Sequence, residues 1–403
     1  MIRAKALDAP QGRIPPPPFL AGGAAARVLA ALPWSRAVGG CVRDAIAGLP
    51  VHDIDIAAPL PPEEIRAGLT RAGLAVHDTG LAHGTLTAVA AGEAIEVTAL
   101  RRDVTTDGRH ATVAWTTEWQ EDAARRDFTI NAMSCDADGR LWDYFGGRED
   151  LAAGRVAFVG DAATRLAEDY LRALRFFRFW ARYGRGQPDA AALAAIRHAV
   201  PGIRARIAPE RVWMEVKRLL AAPDPVGALA LMRDGGLLRA LLPEAEDFTA
   251  LGRLVARRAP ADALLRLAAL IRTPGAVAPL AQRLRLSGAE AQLLGWLLAT
   301  PPPSGPSLDR FLAEAGSQER AQFLLWLAEA RDGHDRQPQR AALAQRPVPV
   351  FPLQGRDGLA LGAAPGPALG AALKAVEAWW LEAGCPPDRD AVLAELGRRL
   401  SAP

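Results

Sequence analysis

Lysine is nearly missing from this chain. All but three of its 48 basic residues are arginine, the exceptions being Lys5, Lys217 and Lys374. Coding bias is the plain reason for such a ratio. A guanidinium nonetheless suits phosphate and base-plane contacts better than an ammonium does. Cysteine is as scarce: Cys41, Cys135 and Cys385 are far apart and odd in number, and form neither a CxxC pair nor a metal-ligand cluster. That excludes a disulfide framework and points to a reducing compartment. Long apolar runs are absent too. No window reaches the roughly 20 residues of a membrane span, and Pro15–Pro18 break any leader that could follow Arg3 and Lys5. The expected location is therefore the cytoplasm. Charge of one sign is lacking as well, with 48 basic against 45 acidic residues and a net charge of +3.

What is present is a globular composition, half apolar and 23% charged. A length of 403 residues calls for two or more domains. Residues 1–20 read as a poorly ordered lead-in. From there to about residue 150, strands and helices mix. Helices are expected over Ala24–Leu32 and Pro62–Ala72, the latter with two glutamates in its first turn. Strands are expected over Ser35–Val38, Asp53–Ala57, Leu74–Asp78, Gly84–Ala90 and Ala94–Leu100. Beyond residue 150 apolar residues recur at helical spacing to the end, with Pro- and Gly-rich joints near Pro223–Pro225, Pro301–Pro306 and Pro347–Pro367. The fold class is α+β: a small mixed head over 21–150, a helical neck over 151–225, and a helical body and tail over 226–403.

Chemistry concentrates in Gly39-Gly40-Cys41-Val42-Arg43-Asp44, followed by His52-Asp53-Ile54-Asp55-Ile56. On a strand, Asp53 and Asp55 share one face, while Ile54 and Ile56 point into the core. Two carboxylates so placed repel each other unless a cation holds them. Mg²⁺ suits the position because it prefers oxygen ligands and leaves room for substrate phosphates. The glycine pair lets backbone N–H groups approach phosphate oxygens, and Arg43 on the first helical turn adds a cation. Either motif alone is commonplace as a turn or a solvated edge. The pair at this spacing is specific.

The stretch GGCVRDAIAGLPVHDIDIA resembles the signature of the class II CCA-adding enzymes and bacterial poly(A) polymerases, within the polymerase-β-like nucleotidyltransferase superfamily. Four further segments agree in order. Arg125–Met133 resembles the family's ribose-recognition motif, and Asp143–Leu151 its joint between head and neck. Glu168–Arg175 resembles the motif that selects the incoming base, and Ala208–Val212 the brace behind that helix. The resemblance covers about residues 35–220. It implies attack of a tRNA 3′-hydroxyl on the α-phosphate of CTP, twice, then of ATP. Asp53 and Asp55 would hold the Mg²⁺ ions, Gly40 and Arg43 the triphosphate, and Arg126 and Asp127 the ribose. Asp169 and Arg172, three apart on one helix, would offer an acceptor and a donor to the base edge. Arg175 and Arg178 would continue the basic side toward phosphate or base. Their plain readings are surface ion pairs. Glu96, on an apolar strand after the DxD, stands where the superfamily often places a third acid. His83 matches a family segment and reads as structural. Arg204, Arg206, Arg211 and Arg218 are loose candidates for backbone contacts to RNA. Two alternatives remain. One keeps the chemistry in a poly(A) polymerase or an enzyme adding only CC or only A. The other is a non-catalytic RNA-binding relative, against which the intact carboxylates count.

Overall fold

Alternating apolar residues set the sheet of the head. In Glu93–Ala99, Ile95, Val97 and Ala99 are buried while Glu93 and Glu96 are exposed, the period-two pattern of a strand with one face covered. A computed structural model describes residues 8–80, 84–106, 111–303, 307–385 and 388–401 of the chain. Its strands are β1 Gly12–Arg13, β2 Arg36–Val38, β3 Asp55–Ala58, β4 Ala75–Gly80, β5 Thr85–Ala90, β6 Glu93–Ala99, β7 Arg101–Thr106, β8 Ala111–Trp115, β9 Met133–Cys135 and β10 Arg140–Asp143. Eight lie in one sheet in the order β1-β10-β9-β2-β3-β6-β5-β4, and β7 and β8 form a separate hairpin. Only β3 and β6 pair parallel within that sheet, with Asp55 beside Glu96 and Ile56 beside Val97.

Helices α1 (Gly23–Ala31) and α3 (Pro62–Arg71) cover one face of β5 and β6, with α2 (Gly40–Ile46) between them in sequence. Val28, Ile65 and Leu69 of the helices and Leu86, Ile95 and Val97 of the strands are all buried. The chain then continues through α4 (Trp119–Ala124), α5 (Gly147–Ala153), α6 (Ala162–Glu168), α7 (Leu171–Tyr183), α8 (Ala190–Arg206) and α9 (Pro209–Leu220). The start of α5 explains the sequence DYFGGR. Both Asp143 carboxylate oxygens accept backbone N–H groups, from Gly147 and Arg148, each at 2.8 Å. Gly146 takes a left-handed conformation, and a side chain on Gly147 would strike the Thr129 carbonyl oxygen at 2.2 Å.

Two readings of the sequence change here. Residues 8–20 are built into the head and are not a loose lead-in. β1 pairs with β10, Trp142 donates to the Asp8 carbonyl at 2.9 Å, and Leu20 is buried. The proline-rich joint at Pro223–Pro225 is not the main division of the chain. The first compact unit runs on to Leu241, because helix Val226–Asp234 packs on α7 and helix Leu237–Leu241 on α8.

The second unit, Leu242–Pro403, is helical throughout its described residues. Every residue of helix Ala263–Leu270 is buried. Near it the Glu329 carboxylate collects Arg257 at 2.7 Å, the Arg336 N–H at 3.0 Å, and Arg340. Toward the C-terminus, Leu353, Val376, Trp380, Val392 and Leu396 form a local apolar cluster. Among the described residues, no single helix is long and apolar enough to cross a membrane.

Candidate active site

The chain enters the site along β2, whose end is the Gly39-Gly40 turn. Gly39 has φ +73° and ψ −122°, a conformation open to glycine and strained for other residues. A Cβ there would lie 2.7 Å from an Arg126 guanidinium nitrogen. The second strand of the site, β3, begins at Asp55. Asp53 precedes it, in an exposed non-strand segment. The expected strand over Asp53–Ala57 thus starts two residues later, and both acids line one cleft. Asp53 stands at the mouth and Asp55, half-buried, at the first ladder position.

Asp55 is the electrostatic centre. Burial pushes its carboxyl up, the Arg126 charge pulls it down, and the charges of Glu96 and Asp53 push it up again, leaving it above the usual carboxylate range. Glu96, uncertain from the sequence alone, is the register partner of Asp55 on the neighbouring strand. Among the described residues no three His, Cys, Asp or Glu side chains close on one point as a finished ligand set. A carboxylate pair with a third acid beside it, and open space in front, fits a hard cation that keeps water and substrate phosphate as its other ligands.

Arg126 is the cation facing this cluster. It reaches back to Asp122 at 3.5 Å, and Arg125 bonds the other Asp122 oxygen at 2.9 Å. Burial would raise the Asp122 carboxyl, but the charges of Arg126 and Arg125 hold it below its ordinary value. The segment carrying both arginines is fixed from outside. Arg165 donates to the Ala124 carbonyl at 2.5 Å, and Arg172 to the Arg125 carbonyl at 3.4 Å.

Several expected ligand-binding groups are turned inward. Arg43 is buried. Its Nε and Nη2 bond the Asp44 carboxylate at 3.0 Å each, and its Nη1 bonds Asn131 Oδ1 at 2.5 Å. Asp127 is equally occupied, accepting the Phe128 N–H and Asn131 Nδ2 at 3.0 Å and Arg175 Nε at 2.6 Å. Burial would raise its carboxyl, yet Arg175 and Asn131 hold it below the ordinary range. Arg178 bonds Glu215 of α9 at 2.6 Å. With Tyr183 donating to Asp44, these contacts make one polar chain: Tyr183, Asp44, Arg43, Asn131, Asp127, Arg175. It ties α2 to α7 at both ends. Sequence reasoning missed Asp44, Asn131 and Tyr183. Asp44 and Asn131 stand inside the quoted motifs next to residues given roles there, and Tyr183, the last residue of α7, carried no signal.

Asp169 and Arg172 do not lie on one helix. α6 stops at Glu168 and Asp169 is extended, with φ −153° and ψ 108°. Its carboxylate accepts the Leu171 N–H at 3.0 Å, a local bond that competes with helix continuation. Arg211 of α9 grips its other oxygen at 2.8 Å. Arg172, on α7, pairs with Glu168 and donates to the Arg165 carbonyl at 3.1 Å. The two therefore flank the α6–α7 break, each oriented by its own partner. Among the loose RNA candidates, Arg206 lies over Tyr170 at 5.6 Å and Arg218 reaches Glu215 at 3.6 Å. His83 and the Arg204 side chain lie outside the described residues.

Residues 35–157 match the family model described as the poly A polymerase head domain, and residues 187–249 the one described as the probable RNA and SrmB-binding site of polymerase A. The chain is 35% identical over 379 residues to the mitochondrial CCA tRNA nucleotidyltransferase 1 of Danio rerio, spanning 90% of this chain and 87% of the relative. The Homo sapiens counterpart is 34% identical over 379 residues, spanning 89% and 85%. Among solved structures, the Bacillus stearothermophilus CCA-adding enzyme in complex with CTP superposes with a TM-score of 0.73 at 29% identity, covering 91% of this chain and 93% of that one.

Proposed function

The chain belongs to the CCA tRNA nucleotidyltransferase family, and from that premise we propose that it adds CMP, CMP and AMP, without a nucleic-acid template, to the 3′ end of tRNA. Its partners are tRNA, CTP and ATP. The observation that carries this reading is the cluster at Asp55: Asp53 and Glu96 line one cleft with it, and Arg126, packed against the Gly39 turn, is the cation that acts on it. The 3′-hydroxyl attacks the α-phosphate and pyrophosphate leaves. Asp53 and Asp55 would hold a divalent cation, Mg²⁺ by the hardness of the donors, which would supply charge neutralisation at the phosphate.

We assign the remaining roles by what each side chain is free to do. The Gly39-Gly40 backbone and Arg126 face the triphosphate, since Arg126 is the cation poised at that turn. Asp169 and Arg172, at the α6–α7 break, are the acceptor and donor for the base edge, and their present partners Arg211 and Glu168 orient them for it. Arg43 and Asp127 are positioning residues, because their polar atoms are bonded within the chain between α2 and α7; Arg175 and Arg178 are held through Nε by Asp127 and Glu215 and act with them as positioning residues. This departs from a direct ribose contact by Asp127 and a direct triphosphate contact by Arg43.

The three cysteines are free, with Cys41 and Cys135 buried, which suits a reducing compartment. The cytoplasm is the first reading. The mitochondrion is the second, favoured by the names of the vertebrate relatives.

The test supplies single nucleotides to three acceptors: tRNA lacking CCA, tRNA ending in CC, and an unrelated RNA. CTP alone should extend the first by two residues, ATP alone the second by one, and neither the third. An open-ended run of A on any acceptor would instead assign a poly(A) polymerase.

A further inference from the structure

Two residues separate α6, which stops at Glu168, from α7, which starts at Leu171. Asp169 is held by the Leu171 N–H and by Arg211 of α9. Tyr170 returns to a helical conformation, with φ −59° and ψ −21°, and its carbonyl accepts the Ala173 N–H at 3.1 Å as α7 begins. Its half-buried side chain reaches α8 and meets Gly202. A Cβ on Gly202 would lie 2.6 Å from Tyr170 Cζ, 2.7 Å from Cε1 and 2.9 Å from the hydroxyl oxygen.

Gly202 supplies room there, not backbone freedom. It lies inside the 17-residue helix α8, directly after Pro201, and its φ is not positive. Proline and glycine are the two poorest residues for a helix interior, so α8 gives up local stability at this point. What it gains is bare backbone on which the far end of the Tyr170 ring can sit. Four residues on, on the same side of α8, the Arg206 guanidinium lies 5.6 Å from the centre of that ring, within cation–π range. α8 also packs along α6. One helix therefore fixes both the seat of the ring and the element that ends just before it.

Asp169 precedes Tyr170 and Arg172 follows it by two, and the Arg172 N–H bonds the Asp169 carbonyl across it at 3.1 Å. A displaced Tyr170 displaces both. We propose that Tyr170 and Gly202 are positioning residues for base selection: the ring, seated on the Gly202 backbone, sets the geometry of the α6–α7 break and so the mutual placement of the Asp169 carboxylate and the Arg172 guanidinium. With a methyl group at Gly202 the ring must withdraw by about 1 Å to reach ordinary contact distance. A misplacement on that scale is enough to spoil hydrogen bonds to a base.

The inference rests on the proposed reading of Asp169 and Arg172, and one experiment separates the two. Single-nucleotide incorporation from CTP and from UTP is measured on tRNA lacking CCA. The proteins compared are the wild type, Gly202→Ala, Tyr170→Phe, Tyr170→Leu, the double variant Gly202→Ala/Tyr170→Leu, and Arg172→Ala. Gly202→Ala and Tyr170→Leu should each narrow the preference for CTP about tenfold, the scale of one hydrogen bond to the base, with KM for tRNA within about twofold of wild type. Tyr170→Phe keeps the ring and should keep the preference. The double variant should be no worse than Tyr170→Leu, because the ring atoms that the new methyl group would strike are gone. Tyr170→Phe and Tyr170→Leu report even if Gly202→Ala does not fold. Wild-type preference in Gly202→Ala or Tyr170→Leu, losses that add in full in the double variant, or an effect confined to KM for tRNA overturns the proposal and leaves the base site standing. Wild-type preference in Arg172→Ala overturns the reading beneath it, and the proposal with it.

Discussion

Asp55 and Glu96 stand side by side at the first paired position of the parallel strands β3 and β6. Like charges at adjacent ladder positions disfavour the metal-free fold, so the pairing has value only when a cation or a substrate faces it.

Replacing either Asp53 or Asp55 by Asn should therefore remove activity while leaving the fold intact. The expected loss in kcat/KM is at least about 1,000-fold, the scale of several kcal/mol of transition-state charge stabilisation. Asp55 has a folded pKa above its ordinary value. Its ionisation thus penalises the fold above that folded pKa, and the penalty fades as pH falls through it toward the ordinary value. In divalent-free buffer Asp55→Asn should melt no lower than wild type at neutral pH. Added Mg²⁺ should raise the wild-type Tm and leave that of the variant unmoved. A lower Tm for the variant without metal would contradict the electrostatic account.

The pair Asp127–Arg175 makes the opposite prediction. Asp127 is buried and held below the ordinary carboxylate range. Its contribution to stability is present above the unfolded pKa and is lost as pH falls through the folded one. Arg175→Ala leaves that charge short of a partner and should cost about 3 kcal/mol in denaturant unfolding at pH 7. The gap from wild type should narrow in acid. A gap that is constant with pH would show that packing, and not charge, is what Arg175 supplies.

Gly39 tests the placement of Arg126. A methyl group there meets the guanidinium at 2.7 Å in a backbone conformation with φ +73°. Gly39→Ala should destabilise by about 1–3 kcal/mol and raise KM for CTP more than KM for tRNA. An unchanged KM for CTP would remove Arg126 from the triphosphate side.

Base choice should follow the residues at the α6–α7 break. C and A each present an amino group beside a ring nitrogen, and U reverses that pattern. A site built for the first rejects the second because its own polar groups go unpaired. Arg172→Ala and Asp169→Ala should both narrow the preference for CTP over UTP in single-nucleotide incorporation. Glu168→Gln should narrow it partly, since Glu168 orients Arg172. If all three merely slow addition at wild-type preference, the side chains are structural ion pairs.

Much of this was legible in the chain itself. Period-two burial in Thr85–Ala90 and Glu93–Ala99 gave those strands to within a residue or two. The paired glycine and acid motifs marked the centre. What alternation could not show was where β3 begins: Asp53 falls outside it because pairing with β6 starts at Asp55. Helical spacing likewise predicted one helix through Asp169, while the carboxylate's bond to the Leu171 N–H ends it. The inward turn of Arg43, Asp127, Arg175 and Arg178 was hidden for another reason. Their partners Asn131 and Glu215 are distant in sequence from some of them and become neighbours only in the fold. Residues 8–20, rich in proline, carry no periodic signal, because their order comes from β10 and Arg36.

The most direct measurement supplies all four nucleoside triphosphates and Mg²⁺ to the protein with tRNA lacking CCA, and sequences the 3′ ends of the products. The account predicts growth by three residues, C-C-A, and then a stop. A homopolymer tail, a product ending at CC, or incorporation of U or G at wild-type rate would contradict it.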